Sequence, residues 1–294
     1  CDSSSKESRA STRRWRGYDM TSSTESASPA FPCVLVYAGR ERARAFVRAA
    51  FPRRRGRTVL VRSIDEFAIA IRRELIDAAV IDLAAPGDDH WTIAARAVDF
   101  PSTPFFGLLP MRTTDAEAVS RSASLGFADV LCEQIDEFSA RDLVAPHGYS
   151  ARFARALADA PDALGFTTDT QQKTWRAIVQ HAGRPVTTTT LALVMGVTRE
   201  HLSRNFARDK GANLKRVIDL VRLISAAELS KNPGYDVRDV AAVLGFASSS
   251  HLAVTTQRIA STRPASLSGL RAVDLVDRFV QGRTRSRVAG KQGL

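Results

Sequence analysis

The chain has 294 residues, 44% of them apolar, which suffices for two ordinary cores. Its net charge of +11 is unevenly placed: residues 171–294 hold 20 Lys and Arg against 8 Asp and Glu, and residues 31–170 hold 17 against 19. Three scattered cysteines (Cys1, Cys33, Cys132) exclude a disulfide framework and a cysteine-based zinc site, and no apolar run reaches the roughly 18 residues of a membrane helix.

Residues 1–30 are rich in Ser, Thr, Arg and Glu, lack an apolar period, and are expected to form a disordered leader without the apolar middle of a signal peptide. The expected location is the cytoplasm. From residue 33 short apolar strands alternate with helical stretches. Strands are expected at Cys33–Tyr37, Thr58–Arg62, Ala78–Leu83, Pro104–Leu109 and Asp129–Cys132, with helices near 40–51, 64–75, 90–99, 114–124 and 137–145. Five β-α units within residues 31–146 predict a doubly wound (βα)5 parallel sheet, because apolar strands without alternation need cover on both faces. Residues 147–169 read as a connector, with an amphipathic stretch at Ser150–Ala160 and turn signals from Pro161 to Asp169. Residues 170–281 are predicted all-helical, and residues 282–294 form a basic tail.

A single pattern occurs twice within this helical region. Leu191-Ala192-x-x-Met195-Gly196-Val197 followed by Leu202 returns as Val240-Ala241-x-x-Leu244-Gly245-Phe246 followed by Leu252. Each copy reads as a helix, a tight turn at Gly and a second helix. Such a tandem helix-turn-helix presents its second helices to DNA grooves, so double-stranded DNA is the expected partner. The local basic excess agrees: a uniformly Arg-rich composition would have charged both halves alike.

With Leu191-Ala192, Gly196-Val197-Thr198, Leu202-Ser203-Arg204-x-Phe206 and Gly211, residues 170–268 resemble the DNA-binding domain of AraC-family transcription factors. That resemblance implies seven helices, two helix-turn-helix modules and a linker helix, here Asn213–Leu229 with Leu214, Val217, Ile218, Val221 and Ile224 on one face. Thr198 is positioned as an N-cap, starting the first recognition helix at Arg199. Helical spacing puts Glu200, Ser203, Arg204 and Ala207 opposite the buried Leu202 and Phe206. The resemblance implies that Glu200, Ser203 and Arg204 face base edges; a guanidinium at 204 can bond both O6 and N7 of guanine. Thr198, Arg199 and Arg208 are expected at phosphates. A second reading of Arg204 remains open, in which it pairs with Glu200 one turn back.

The second module matches at Ser250-His251-Leu252 and Pro264 but departs where it would touch DNA. Ser249, Ser250 and Ala253, with Val254, face the bases; Thr256 and Leu267 replace usual aromatics, and Ser261 a usual glycine. Arg258 and Arg263 are the expected phosphate contacts. Small neutral groups can read thymine methyls or groove shape but make no charged contacts, so the first module is expected to dominate sequence reading.

In the α/β half, Asp77-Ala-Ala-Val-Ile-Asp82-Leu-Ala-Ala-Pro86-Gly87 resembles the third strand of response-regulator receiver domains, where an aspartate accepts phosphate; Asp82 holds that place. The resemblance also implies an acidic pair after the first strand, a Ser or Thr after the fourth and a Lys after the fifth. Here stand Ala38-Gly39-Arg40, Leu109-Pro110 and Cys132-Glu133. Phosphoryl transfer to a carboxylate needs a divalent cation with further acidic ligands, so a pseudo-receiver is expected in which Asp82 pairs with Arg40. The alternative is a two-component response regulator phosphorylated at Asp82. Such a domain would serve dimerisation or docking of a signalling protein or RNA polymerase.

Arg53-Arg54-Arg55-Gly56-Arg57 is a basic loop that either extends the DNA contact or lies solvated. No phosphate-binding Gly motif, no Ser/His/Asp or Cys/His arrangement and no metal-ligand spacing among the five His occurs. No enzyme, cofactor or metal is therefore expected.

Overall fold

A computed structural model describes residues 32–54, 56–207 and 212–289, with side chains described through Gly282. The expected leader, Arg55, Arg208, Gly211 and the end of the tail lie outside the described residues.

Strands β1 (Cys33–Tyr37), β2 (Arg57–Val61), β3 (Ala78–Asp82), β4 (Phe105–Leu109) and β5 (Asp129–Cys132) form one sheet in the order β2-β1-β3-β4-β5, every pair parallel. This is the flavodoxin-like doubly wound order. β1, β3 and β4 are buried along their whole length, and alternate side chains enter two separate cores. Val34, Val36, Val80, Phe106 and Leu108 meet Phe46 and Val47 of α1 (Glu41–Ala50) and Val144 of α5 (Ala140–Val144). Leu35, Ile81 and Phe105 meet Phe67 and Ile71 of α2 (Ile64–Arg73) and Ile93 of α3 (Asp89–Ala94). Strand β2 lies one residue earlier than the pattern suggests, and β3 and β4 are one residue shorter. The expected helix at 90–99 tightens to 3-10 geometry at Ala95–Asp99, and α4 (Ala116–Ser124) follows a single 3-10 turn. Helix α5 begins late because the Asp136 carboxylate accepts the Cys132 N–H at 2.7 Å and holds a turn there.

The helical half begins earlier than the turn signals imply. α6 (Tyr149–Ala156) and α7 (Ala160–Leu164) send Tyr149, Phe153 and Leu164 into the core shared with Trp175, Phe206 and the linker helix. Pro161 sits in the first turn of α7, where its missing N–H costs nothing. Then follow α8 (Asp169–Gln180), α9 (Thr188–Val194), α10 (Arg199–Phe206), α11 (Leu214–Leu229), α12 (Val237–Val243), α13 (Ser249–Ala260) and α14 (Ala272–Ala289), seven α-helices from α8 onward among the described residues. The linker α11 is capped by Asn213, whose Oδ1 accepts the Lys215 N–H at 2.9 Å. It is buried well beyond the expected stripe, with Leu220, Leu223, Ser225, Ala226 and Ala227 also covered, so it is the pillar of the domain rather than a spacer.

The two halves are joined by polar contacts at two places. Asp77, at the foot of β3, accepts the N–H groups of Cys33 (2.7 Å) and Ser150 (2.8 Å) and the guanidinium of Arg184 (2.6 Å), which also bonds the Ser150 hydroxyl. On the other side α2 packs on α12. The Tyr235 hydroxyl donates to the Ile71 carbonyl at 2.9 Å, Ser102 N–H to Asn232 Oδ1 at 2.8 Å, and the Phe100 and Tyr235 rings meet edge-on at 4.9 Å. The α/β domain thus rests on the second helix-turn-helix module.

Candidate nucleic-acid interface

The repeat in the sequence is a repeat in backbone hydrogen bonding. Gly196 and Gly245 stand at φ +65 and +64, a left-handed conformation that glycine adopts without strain. Val197 N–H bonds the Ala192 carbonyl at 3.0 Å, and Phe246 N–H bonds that of Ala241 at 2.8 Å. Thr198 accepts the His201 N–H at 3.2 Å, and Ser248 accepts the His251 N–H at 3.1 Å. Each second helix therefore starts from a capped end, which holds its first turn in place.

The outward faces differ. On α10, Leu202 and Phe206 are buried, Ser203 is half-buried, and Glu200 and Arg204 are exposed. Glu200 pairs with Arg199 at 3.2 Å rather than with Arg204. Its own backbone N–H and then Arg199 hold its carboxyl below the usual range. The Arg204 guanidinium has no ion-pair partner among the described residues. Arg199 and Glu200 are both solvated, and such an exposed pair is weak enough to exchange for a phosphate. His201 shares a 2.7 Å contact with Asn205 along the helix.

On α13, Ser250 is exposed, Ser249 and Ala253 are half-buried, and Val254 is 65% exposed. Arg258 is turned toward the linker, its guanidinium 2.6 Å from Asp219, so this cation neutralises a buried carboxylate of α11. Arg263 is exposed beside Pro264. Thr256 and Leu267, at the sites of usual aromatics, are fully buried, and Ser261 stands at φ +51 as the helix ends. Arg222 of α11, which with Leu223 matches a pair of the AraC-family resemblance, supports this module from beneath: it lies 4.0 Å over the Phe246 ring and donates to the Leu244 carbonyl at 2.9 Å. Burial lowers its pKa from the ordinary arginine value.

In the α/β domain the aspartate at the end of β3 meets a cation supplied by the chain itself. Asp82 is fully buried; it accepts the Arg40 backbone N–H at 3.0 Å and the Arg40 Nε at 2.9 Å. The same guanidinium reaches Glu133, buried just after β5. Burial works to lower the Arg40 pKa, but hydrogen bonds and charge from Asp82, then Glu133, outweigh it and hold it above its ordinary value. The residue kinds of a receiver are exchanged: a cation follows β1 and a carboxylate follows β5. These residues do not fit a divalent metal, since Arg40 binds both Asp82 and Glu133 and Arg42 lies 3.6 Å from the second Glu133 oxygen; no group of three candidate ligands exists among the described residues. His90, at the start of α3, adds a buried imidazole held below its ordinary pKa by burial.

Residues 191–268 match a family model described as a helix-turn-helix domain. No curated protein matches the chain. Among solved structures, a response regulator from Thermotoga maritima is 19% identical, covering 40% of this chain and 97% of its own length at a TM-score of 0.35. Full-length FixJ from B. japonicum is 12% identical, with 73% and 97% coverage and a TM-score of 0.36. A Burkholderia pseudomallei response regulator with a phosphorylated aspartic acid is 16% identical, with 60% and 99% coverage and a TM-score of 0.34.

In class, then, residues 191–268 are a helix-turn-helix domain, the kind of unit that binds DNA. That domain holds two helix-turn-helix modules in tandem, and the N-terminal domain is a five-stranded parallel sheet in the flavodoxin-like β2-β1-β3-β4-β5 order.

Proposed function

We propose that the protein is a cytoplasmic, non-enzymatic regulator that reads its operator mainly through α10. In this reading Glu200, Ser203 and Arg204 meet base edges, with Arg204 bidentate on guanine, while Thr198, Arg199 and Arg208 hold phosphates. Ser249, Ser250 and Ala253 seat α13 in the next groove and contribute shape and methyl contacts, with Arg263 on the backbone. The observation that carries this reading is the exposed Arg204 guanidinium on a capped helix, with no carboxylate bound to it among the described residues. Replacement of Arg204 by Ala is expected to cost roughly 1–3 kcal/mol at one base position and to flatten preference there. Binding measured at fixed salt against every base at each site position checks this; unchanged affinity and preference would remove the mechanism.

The N-terminal domain is proposed as a pseudo-receiver that works without phosphorylation, as a surface for a second copy, a signalling protein or RNA polymerase. Paired sites in a homodimer would add the affinity that a weak second module lacks. The Arg40 bridge favours this over phosphorylation at Asp82, because attack on a phosphoryl donor requires a free, metal-assisted carboxylate. Acetyl phosphate with Mg2+ should leave the intact mass unchanged; addition of one phosphoryl group, absent in Asp82→Asn, would establish the alternative.

A further inference from the structure

Where the α/β domain meets the helical half, a cavity of about 310 Å3 opens beneath the sheet, on the side away from Asp82. It lies among the N-terminal ends of β1, β2 and β3, helix α5 and helix α6. Val34, Phe51, Ala78, Val144 and Ala151 give it apolar walls. Its volume is at the lower end of small-molecule sites, which favour such junctions.

The charges around it are unequal in their commitments. Asp77 is neutralised by Arg184 at 2.6 Å, and Arg57 is paired with Glu74 at 2.7 Å. Arg141 lines the same cavity and has no ion-pair partner among the described residues, and its Nε is buried without a hydrogen bond. A half-buried guanidinium facing apolar walls without a counter-charge is costly, and a carboxylate is the group that compensates it best. We propose that this cavity is a binding site for a small monocarboxylic acid with an apolar body, its carboxylate on Arg141 and its body against the valine and phenylalanine wall. Asp77 and Ser150, which also line the cavity, are the residues that hold Arg184, three positions ahead of the Thr187 cap of α9. The ligand would therefore lie against the joint between the sheet and the first DNA-reading module.

Octanoate and octanol, of equal chain length, separate the carboxylate contribution from the apolar one in calorimetric titration of the full-length protein. No DNA is present, so failure here leaves the DNA-reading proposal standing. Octanoate is expected to bind at one site, octanol about tenfold more weakly or worse. Arg141→Met, which keeps the apolar stem, should bring octanoate down to the level of octanol. Ala151→Phe, which fills the cavity, should remove both, with circular dichroism confirming that each variant folds; if Ala151→Phe does not fold, Arg141→Met decides. Equal binding of octanoate and octanol, or octanoate binding undiminished in Arg141→Met, would overturn the proposal. So would a full-length protein that refuses octanoate.

Discussion

The two helix-turn-helix modules share a turn, a cap and a buried leucine, yet they face outward with different chemistry and rest on different neighbours. The first presents Glu200 and Arg204 to solvent, with no helix of the α/β domain packed on α9 or α10 to any comparable extent. The second presents serines, an alanine and a valine; its α12 bears the α/β domain and its Arg258 is spent on Asp219. The same backbone solution has thus been given two tasks. Local requirements such as a left-handed glycine and a hydroxyl cap reproduce the scaffold, while groove chemistry and domain support are free to diverge.

The largest effect that would sharpen this comparison comes from the paired turns. A Cβ at Gly245 would stand 2.5 Å from the Pro185 ring, in addition to the left-handed strain, whereas one at Gly196 would meet nothing within 4 Å. Gly245→Ala is therefore expected to cost roughly 3 kcal/mol and Gly196→Ala about 1 kcal/mol, read from urea unfolding. Equal losses would show that the second turn is no more tightly held than the first.

A smaller effect is expected at Arg258. If its guanidinium serves Asp219, Arg258→Ala should lower stability by about 1 kcal/mol while leaving DNA affinity nearly unchanged, as measured by thermal unfolding and a salt-controlled binding assay. A clear loss of affinity with unchanged stability would return Arg258 to the phosphate contacts expected from the sequence.

What the sequence made legible is what neighbours along the chain determine. The glycines at 196 and 245, the caps at Thr198 and Ser248, the linker cap Asn213 and the apolar strands each announce themselves within a few residues. The pairing of Asp82 with Arg40 was also legible, since strand ends β1 and β3 adjoin in any sheet of this order. Partners distant in sequence were not. Nothing near Arg258 points to Asp219, 39 residues away, and nothing near Arg184 points to Asp77, 107 residues away, because both pairs arise only when separate elements pack. The connector was legible in part: Gly165 ends α7 in a left-handed C-cap and α8 starts at Asp169, while Pro161 occupies a first helical turn instead of a break.

The central claim is that the first module carries sequence reading, and a systematic base substitution scan of a selected operator, at one salt concentration, tests it most directly. Substitutions in the half bound by α10 should cost roughly 1–3 kcal/mol each, those beneath α13 well under 1 kcal/mol. Greater losses in the second half than in the first would contradict the account.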